Sequence, residues 1–187
     1  MKAVSYAGAA VLLALALAAS GFAAAPGGGT QLSPVSFDET LTTGLTGVDV
    51  QQAEAVGHFV PKAQVFYSQY QYVVGYYGLE ALVGGVTGPR QTAQFGDPLA
   101  VFVSDLSGTD PRLTDGEYIR LANSVEQGWS RAEEAWFVVD TPARTPAGST
   151  AVPFGDKRPA EEFAREYNGT VVDWESLQTR LGESAGT

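Results

Sequence analysis

The chain has 187 residues, of which 44% are hydrophobic and 11% aromatic, so it can bury a core of ordinary size. Its 21 acidic residues outnumber its 11 basic ones and give a formal net charge of −10, which leaves no basic patch to neutralise the phosphates of a nucleic acid. The chain has no cysteine and no methionine after Met1, which excludes disulfides, thiolate sites and internal thioether ligands for a metal.

Residues 1–25 have the pattern of a secretory signal peptide. A positively charged start precedes the apolar run Val11–Leu17, and small residues at Ala23–Ala25 supply a cleavage site. An uncleaved N-terminal anchor is the alternative, since the apolar and small residues together nearly reach the length of a membrane span. Residues 26–46, rich in Gly, Ser, Thr and Pro, are predicted to be a flexible, poorly ordered spacer.

The folded domain is predicted over residues 47–181, and its first part is a ββαβ unit at about residues 60–106. Runs of β-branched and aromatic residues at Ala63–Tyr67 and Tyr70–Tyr76 flank Ser68-Gln69 and predict a hairpin. The apolar run Leu99–Val103 predicts a buried strand that closes the unit. Between hairpin and strand, apolar residues at helical spacing predict a short helix: Leu79, Leu82, Val83 and Val86.

An additional helix is predicted between the two units. Thr114-Asp-Gly-Glu117 has the pattern of a capping box, although Gly116 is a poor helix former. Apolar residues follow it at helical spacing: Tyr118, Leu121, Ala122 and Val125.

A second ββαβ unit is predicted at about residues 130–176, followed by a tail at residues 182–187. Its strands are expected at Ala135–Val139, Ala151–Phe154 and Thr170–Trp174. Its helix has an N-cap at Asp156, Pro159 in the first turn, the stop signal Asn168-Gly169, and one apolar face: Ala160, Phe163, Ala164 and Tyr167. The sequence therefore predicts an α+β fold of two ββαβ units with antiparallel or mixed sheets.

Four short blocks in the second unit occur in the order found in one known family: Glu134-Ala-Trp-Phe-Val138, Val152-Pro-Phe154, Ala160-Glu-Glu-Phe163 and Gly169-Thr-Val-Val172. With them, the chain resembles the NosL family of nitrous oxide reductase accessory proteins from about Val48 to Leu177. The resemblance implies paired ββαβ units, an extracytoplasmic setting, copper handling in denitrification, and a protein partner in copper-enzyme maturation.

The same resemblance implies sulfur ligands for Cu(I), and this chain lacks them. Where family members carry a Cys-Gly-Met type motif, the chain has Gly47-Val-Asp-Val50. Where they carry a Pro-Met-Gly turn, it has Pro146-Ala-Gly148. Copper is the metal that the family implies, but Cu(I) prefers sulfur to the oxygen donors that remain, so tight binding of Cu(I) is not expected.

His58 is the only histidine and the one candidate metal ligand. It lies where the family often has an Asp-His-Pro type loop, and Asp49 or Glu54 would have to assist it in a Cu(II) or Zn(II) site. The alternative is a surface or hydrogen-bonded loop histidine, because one imidazole with loosely spaced carboxylates makes a weak site.

The remaining sequence patterns indicate structural roles and no catalytic site. The pairs Glu133-Glu134 and Glu161-Glu162 diverge on a strand or helix and are predicted to be solvated. No Gly-x-Ser-x-Gly elbow, phosphate loop or cysteine nucleophile is present, so the sequence predicts no enzyme. An aromatic cluster is expected to pack in the sheet rather than form a binding platform: Phe66, Tyr67, Tyr70, Tyr72, Tyr76 and Tyr77.

Two functions fit the sequence. The first is an exported, non-enzymatic accessory protein that acts in copper-enzyme maturation through protein contacts or weak metal binding without sulfur. The second is an extracytoplasmic ligand- or protein-binding module that keeps the fold without metal. The membrane is expected to be contacted only through an uncleaved N-terminal segment. The spread of acidic residues fits an ordinary secreted protein or a surface adapted to high salt.

Overall fold

The structure is a computed structural model that describes residues 32–122 and 128–184. In chain order its strands are β1 Leu41–Gly44, β2 Lys62–Tyr67, β3 Val74–Tyr77, β4 Pro98–Asp105, β5 Pro111–Leu113, β6 Ile119–Leu121, β7 Gly128–Arg131, β8 Trp136–Val139, β9 Arg144–Thr145, β10 Gly148–Ser149, β11 Val152–Phe154 and β12 Thr170–Val172. Its helices are α1 Gly47–Ala55, α2 Leu79–Thr87, α3 Pro89–Phe95, α4 Lys157–Glu166 and α5 Trp174–Ser184. The predicted signal peptide or anchor, residues 1–25, lies outside the described residues.

The first ββαβ unit consists of β2, β3, α2 and β4, as predicted. Strand β2 pairs antiparallel with both β3 and β4, so the first strand of the unit is its central one. The strands β1 and β7 extend the sheet to five, in the order β1-β3-β2-β4-β7. Strand β3 begins at Val74 and not at Tyr70, so the turn between β2 and β3 is longer than predicted. The ring of Tyr70 instead packs on Phe95, with ring centroids 4.5 Å apart.

The second unit consists of β8, β11, α4 and β12, and it repeats this arrangement. Strand β8 pairs antiparallel with β11 and β12, so the first strand is again central. Helix α4 begins after Asp156 and is followed by Asn168 with a φ of 54°, the left-handed conformation that the Asn-Gly stop signal predicts. The predicted α+β class and the two ββαβ units are therefore confirmed.

The two units share a core. One cluster of buried residues contains Val65 and Leu82 of the first unit together with Phe137 and Val172 of the second. Helix α5 completes this cluster, since Leu177 is fully buried in it and α5 contacts α2. A second cluster, which contains Phe154 and Phe163, packs α4 on the small sheet β11-β8-β12. Apolar burial across both units thus holds them together.

The prediction of a helix after Thr114 is wrong. Residues of this segment form the hairpin β5–β6, in which the Glu117 amide donates to the Thr114 carbonyl at 2.8 Å and Glu117 has a φ of 66°. Ile119 is fully buried and its neighbour Arg120 is exposed, which is strand and not helix periodicity. Pairing with β5 outweighs the local spacing, while Val125 lies outside the described residues.

The predicted spacer also needs correction where the structure describes it. Residues 33–46 form an ordered N-terminal arm with a 3-10 turn at Phe37–Glu39, and β1 pairs parallel with β3. The buried carboxamide of Gln64 accepts a hydrogen bond from the Val35 amide at 2.9 Å and donates one to the Val35 carbonyl at 2.6 Å. These contacts fix the arm on one face of the large sheet. No helix within the described ranges is long and apolar enough to cross a membrane.

Candidate functional site

His58 lies in the loop between α1 and β2, at a corner of the molecule where three distant segments meet. Its amide donates to the Ala53 carbonyl at 2.9 Å, and the next amide, that of Phe59, donates to the Ile119 carbonyl at 2.7 Å. These bonds place the loop beside β6. The imidazole stacks on the ring of Tyr118, with centroids 4.4 Å apart and planes 2° from parallel.

Tyr118 also joins this loop to the β9–β10 hairpin. The guanidinium carbon of Arg144 lies 5.7 Å from the centroid of the Tyr118 ring. The Arg144 amide donates to the Glu117 carbonyl at 3.0 Å, and Tyr118 and Arg144 form an isolated parallel bridge. The hairpin that holds Ala147, where the resemblance leads one to expect a methionine, is therefore anchored to the same corner as His58.

The carboxylates predicted to assist His58 are engaged elsewhere. Glu54 forms an ion pair with Lys62 at 2.9 Å. Asp49 accepts a hydrogen bond from the hydroxyl of Thr46 at 2.6 Å at the start of α1. In residues 32–122 and 128–184, no group of three His, Cys, Asp or Glu side chains is placed to hold a metal ion. The corner therefore offers a metal one imidazole and carboxylates that are engaged elsewhere, and His58 as a ligand stays a prediction.

The acidic pairs singled out in the sequence do not converge. Glu133 and Glu134 are exposed in the turn before β8. Glu161 and Glu162 are exposed on α4, where they pair with Lys157 at 3.8 Å and Arg158 at 3.7 Å. These are solvated ion pairs between residues four apart on a helix.

Three of the six residues of the aromatic cluster are buried, namely Phe66, Tyr67 and Tyr76. Tyr67 and Tyr76 are buried, and their hydroxyls share a hydrogen bond of 2.8 Å. Burial raises the pKa of both hydroxyls; for Tyr67 the hydrogen bond to Tyr76 raises it further. Tyr72, by contrast, is exposed.

Asp105, at the end of β4, is a carboxylate that the sequence did not indicate. Its Oδ1 accepts hydrogen bonds from the amides of Gly155 at 2.7 Å and Ser107 at 2.9 Å, and its Oδ2 accepts one from the hydroxyl of Ser130 at 3.1 Å. Gly155 has no room for a side chain, because a Cβ there would lie 2.2 Å from Oδ2 of Asp105. Asp105 thus ties the first unit to the loop that precedes α4.

Glu80, in the first turn of α2, is the second such carboxylate. Its Oε1 accepts from the Ala151 amide and its Oε2 from the Thr150 hydroxyl, both at 3.2 Å. Burial raises the pKa of the Glu80 carboxyl, and the hydrogen bonds offset only part of this increase. Glu80 connects α2 to the segment that follows the β9–β10 hairpin.

The described residues form an α+β fold of paired ββαβ units and hold no complete metal site. A family model described as NosL matches residues 48–181, which is most of the chain. The chain therefore belongs to the NosL family, and the resemblance inferred from the sequence blocks is confirmed.

The crystal structure of the copper chaperone NosL from Shewanella denitrificans is similar to this chain. The two are 22% identical, and the similarity covers 62% of this chain and 76% of that one with a TM-score of 0.49. Among curated proteins, none matches the chain.

Proposed function

We propose that the protein is an exported, non-enzymatic accessory protein that acts in the maturation of a copper enzyme of the nitrous oxide reductase kind. It acts through protein contacts or through weak metal binding without sulfur. The observation that carries the proposal is the NosL match over residues 48–181 in a chain without cysteine and without methionine after Met1. The family match supports the role, and the missing sulfur argues against tight binding of Cu(I) as cargo.

The nitrogen and oxygen donors that remain suit Cu(II) or Zn(II) better than Cu(I). Imidazole and carboxylate oxygens bind Cu(II) and Zn(II) better than Cu(I), whose preferred ligands are thiolate and thioether sulfur. At the corner, His58 is the one imidazole, and Glu54 is already paired with Lys62. A metal would have to compete with that ion pair for the Glu54 carboxylate, so we propose that any binding at His58 is weak.

The first prediction concerns Cu(I). Full-length protein loaded with Cu(I) is expected to lose it to a strong Cu(I) chelator, because no sulfur ligand is present in the folded domain. The transfer is followed by the absorbance of the chelator complex, with a NosL protein that has both Cys and Met ligands as the positive control. Retention of Cu(I) at sub-micromolar chelator-buffered concentrations would contradict the proposal.

The second prediction concerns His58. Titration calorimetry with Cu(II) is expected to show weak binding to the wild type and at least about a tenfold loss for His58→Ala, since the imidazole is the strongest donor at the corner. Gln51→Ala, an exposed change on α1, is the matched control and should leave the titration unchanged. Equal affinity of the wild type and His58→Ala would exclude His58 as a ligand.

A further inference from the structure

Two arginines that form no ion pair among the described residues lie at the His58 corner of this acidic molecule. Other cations of the described chain are paired, for example Lys62 with Glu54 and Arg112 with Glu166. Four arginines in residues 32–122 and 128–184 take part in no ion pair: Arg90, Arg120, Arg144 and Arg165. Two of these four, Arg120 and Arg144, lie at the corner.

Arg120 is held over the loop that carries His58. One of its terminal nitrogens donates to the Val56 carbonyl at 3.1 Å. At Gly57, which has a φ of 77°, a Cβ would lie 3.7 Å from the Arg120 guanidinium, so the side chain lies close against bare backbone. A guanidinium has five N–H donors, and this contact uses one of them. The exposed remainder is available to an acceptor from outside.

Arg144 is fixed by Tyr118 rather than by a carboxylate. Its guanidinium lies over the Tyr118 ring, on which the His58 imidazole also stacks. Stacking on an aromatic ring orients a guanidinium while its edge stays free to bind a carboxylate through two parallel hydrogen bonds. Asp115 and Glu117 of the neighbouring turn are exposed and pair with neither arginine.

An open concavity of about 220 Å³ adjoins Arg120, whose guanidinium lies against Gly57, and it is lined by Glu54, Gly57, His58, Phe59, Lys62 and Leu121. On its wall Lys62 is already paired with Glu54, so the cations left for a partner are Arg120 and Arg144. Phe59 and Leu121 add an apolar wall. The corner thus offers two separated guanidinium groups, Arg120 and Arg144, beside an apolar wall, which suits a chain with several spaced carboxylates better than one small anion.

From this arrangement we infer that the corner formed by His58, Tyr118, Arg120 and Arg144 docks an acidic segment of a partner protein. The inference rests on the proposed role in protein contacts and gives the partner its chemistry. Because the molecule carries a net charge of −10, an acidic partner is repelled from the rest of the surface and is oriented toward this corner. The free arginines supply the charge-assisted hydrogen bonds, and the stacked rings hold Arg144 in place.

The test uses full-length protein and a fluorescein-labelled hexaglutamate peptide, with binding measured by fluorescence anisotropy at low ionic strength. The wild type is expected to bind, and the double variant Arg120→Gln, Arg144→Gln to bind at least about tenfold more weakly, because both carboxylate partners are lost. Raising the salt to about 0.3 M is expected to weaken the wild type at least about fivefold through screening.

The matched control is Arg90→Gln, Arg165→Gln, which removes the same charge from the two unpaired arginines elsewhere and should stay within about twofold of the wild type. Circular dichroism melts check that both double variants fold. No binding by the wild type, or an equal loss in the control, would overturn the inference. Displacement of the peptide by citrate at equal carboxylate concentration would also overturn it, by showing a site for free carboxylates. Tight retention of Cu(I), in contrast, would overturn the proposed function and leave the peptide result unchanged.

Discussion

Asp105→Ala is expected to lower the free energy of unfolding by about 3–4 kcal/mol, since it removes a charged acceptor from two amides and one hydroxyl in a half-buried position. The Gly155 and Ser107 amides would lose their partner at the point where the two units join. Urea denaturation followed by circular dichroism measures the change. Asp97→Ala is the control, because Asp97 is exposed and its carboxylate accepts no hydrogen bond from the residues that the structure describes. It should cost less than about 0.5 kcal/mol.

The stability that Asp105 contributes is also expected to depend on pH in a definite direction. Burial disfavours the charged carboxylate, but the hydrogen bonds from Ser107, Gly155 and Ser130 outweigh it and hold the pKa of Asp105 below its ordinary value of 3.8. The stability that Asp105 contributes is therefore complete above that value and is lost as the pH falls through the lower pKa of the folded state. The difference between the wild type and Asp105→Asn should shrink on acidification below about pH 4. A difference that grows there would show that the carboxylate is not the stabilising form.

The stability that Glu80 contributes is expected to depend on pH in the opposite direction to that of Asp105. Because burial raises the pKa of Glu80 above its ordinary value of 4.5, the folded state favours the neutral carboxyl. Its contribution to stability is therefore complete below that value and declines as the pH rises through the higher folded pKa. Glu80→Gln, which stays neutral and keeps an acceptor for Ala151, should be at least as stable as the wild type at pH 7 and should lack this decline.

Glu80→Ala separates hydrogen bonding from charge. It leaves the Ala151 amide and the Thr150 hydroxyl without this partner, so it should cost about 1–3 kcal/mol at pH 7. Both variants are measured by urea denaturation between pH 4 and pH 8. Glu133→Gln, a neutralisation in an exposed turn, serves as control and should change little. Equal loss in Glu80→Gln and Glu80→Ala would mean that the ionised carboxylate is required.

The second ββαβ unit could be predicted closely because its signals are local. The N-cap at Asp156 and the stop at Asn168-Gly169 bound α4 in the structure as they do in the sequence. The stop reflects a left-handed backbone conformation that few residues adopt easily, and Asp156 is a residue type favoured at the N-cap, so a single sequence is enough to locate both.

The hairpin β5–β6 shows where local signals mislead. Its residues satisfy a helical spacing, yet Ile119 enters the core of a neighbouring layer and β6 pairs with β5. The energy of that burial comes from distant parts of the chain and outweighs a weak helical preference. The arm at residues 33–46 was missed for the same reason, since Gln64, which fixes it, is 29 residues from Val35.

The candidate site was predictable only in its single histidine. His58 can be recognised because it is the one imidazole of the chain, but Tyr118 and Arg144 come from two other segments. Their proximity depends on the pairing of β6 with β5 and on the contact between Arg144 and Glu117, neither of which leaves a local pattern. The roles of Asp105 and Glu80 could not be predicted either, because Gly155 and Ala151, to which they bond, lie far away in the sequence.

Helix α5 makes the core of the first unit depend on residues far along the chain. Leu177 enters the buried cluster that contains Leu79 and Leu82 of α2, about a hundred residues earlier in the chain. Until α5 docks, that cluster stays open to water on the side of α2. The first unit therefore completes its core only when α5 packs on it, so the two units finish folding together.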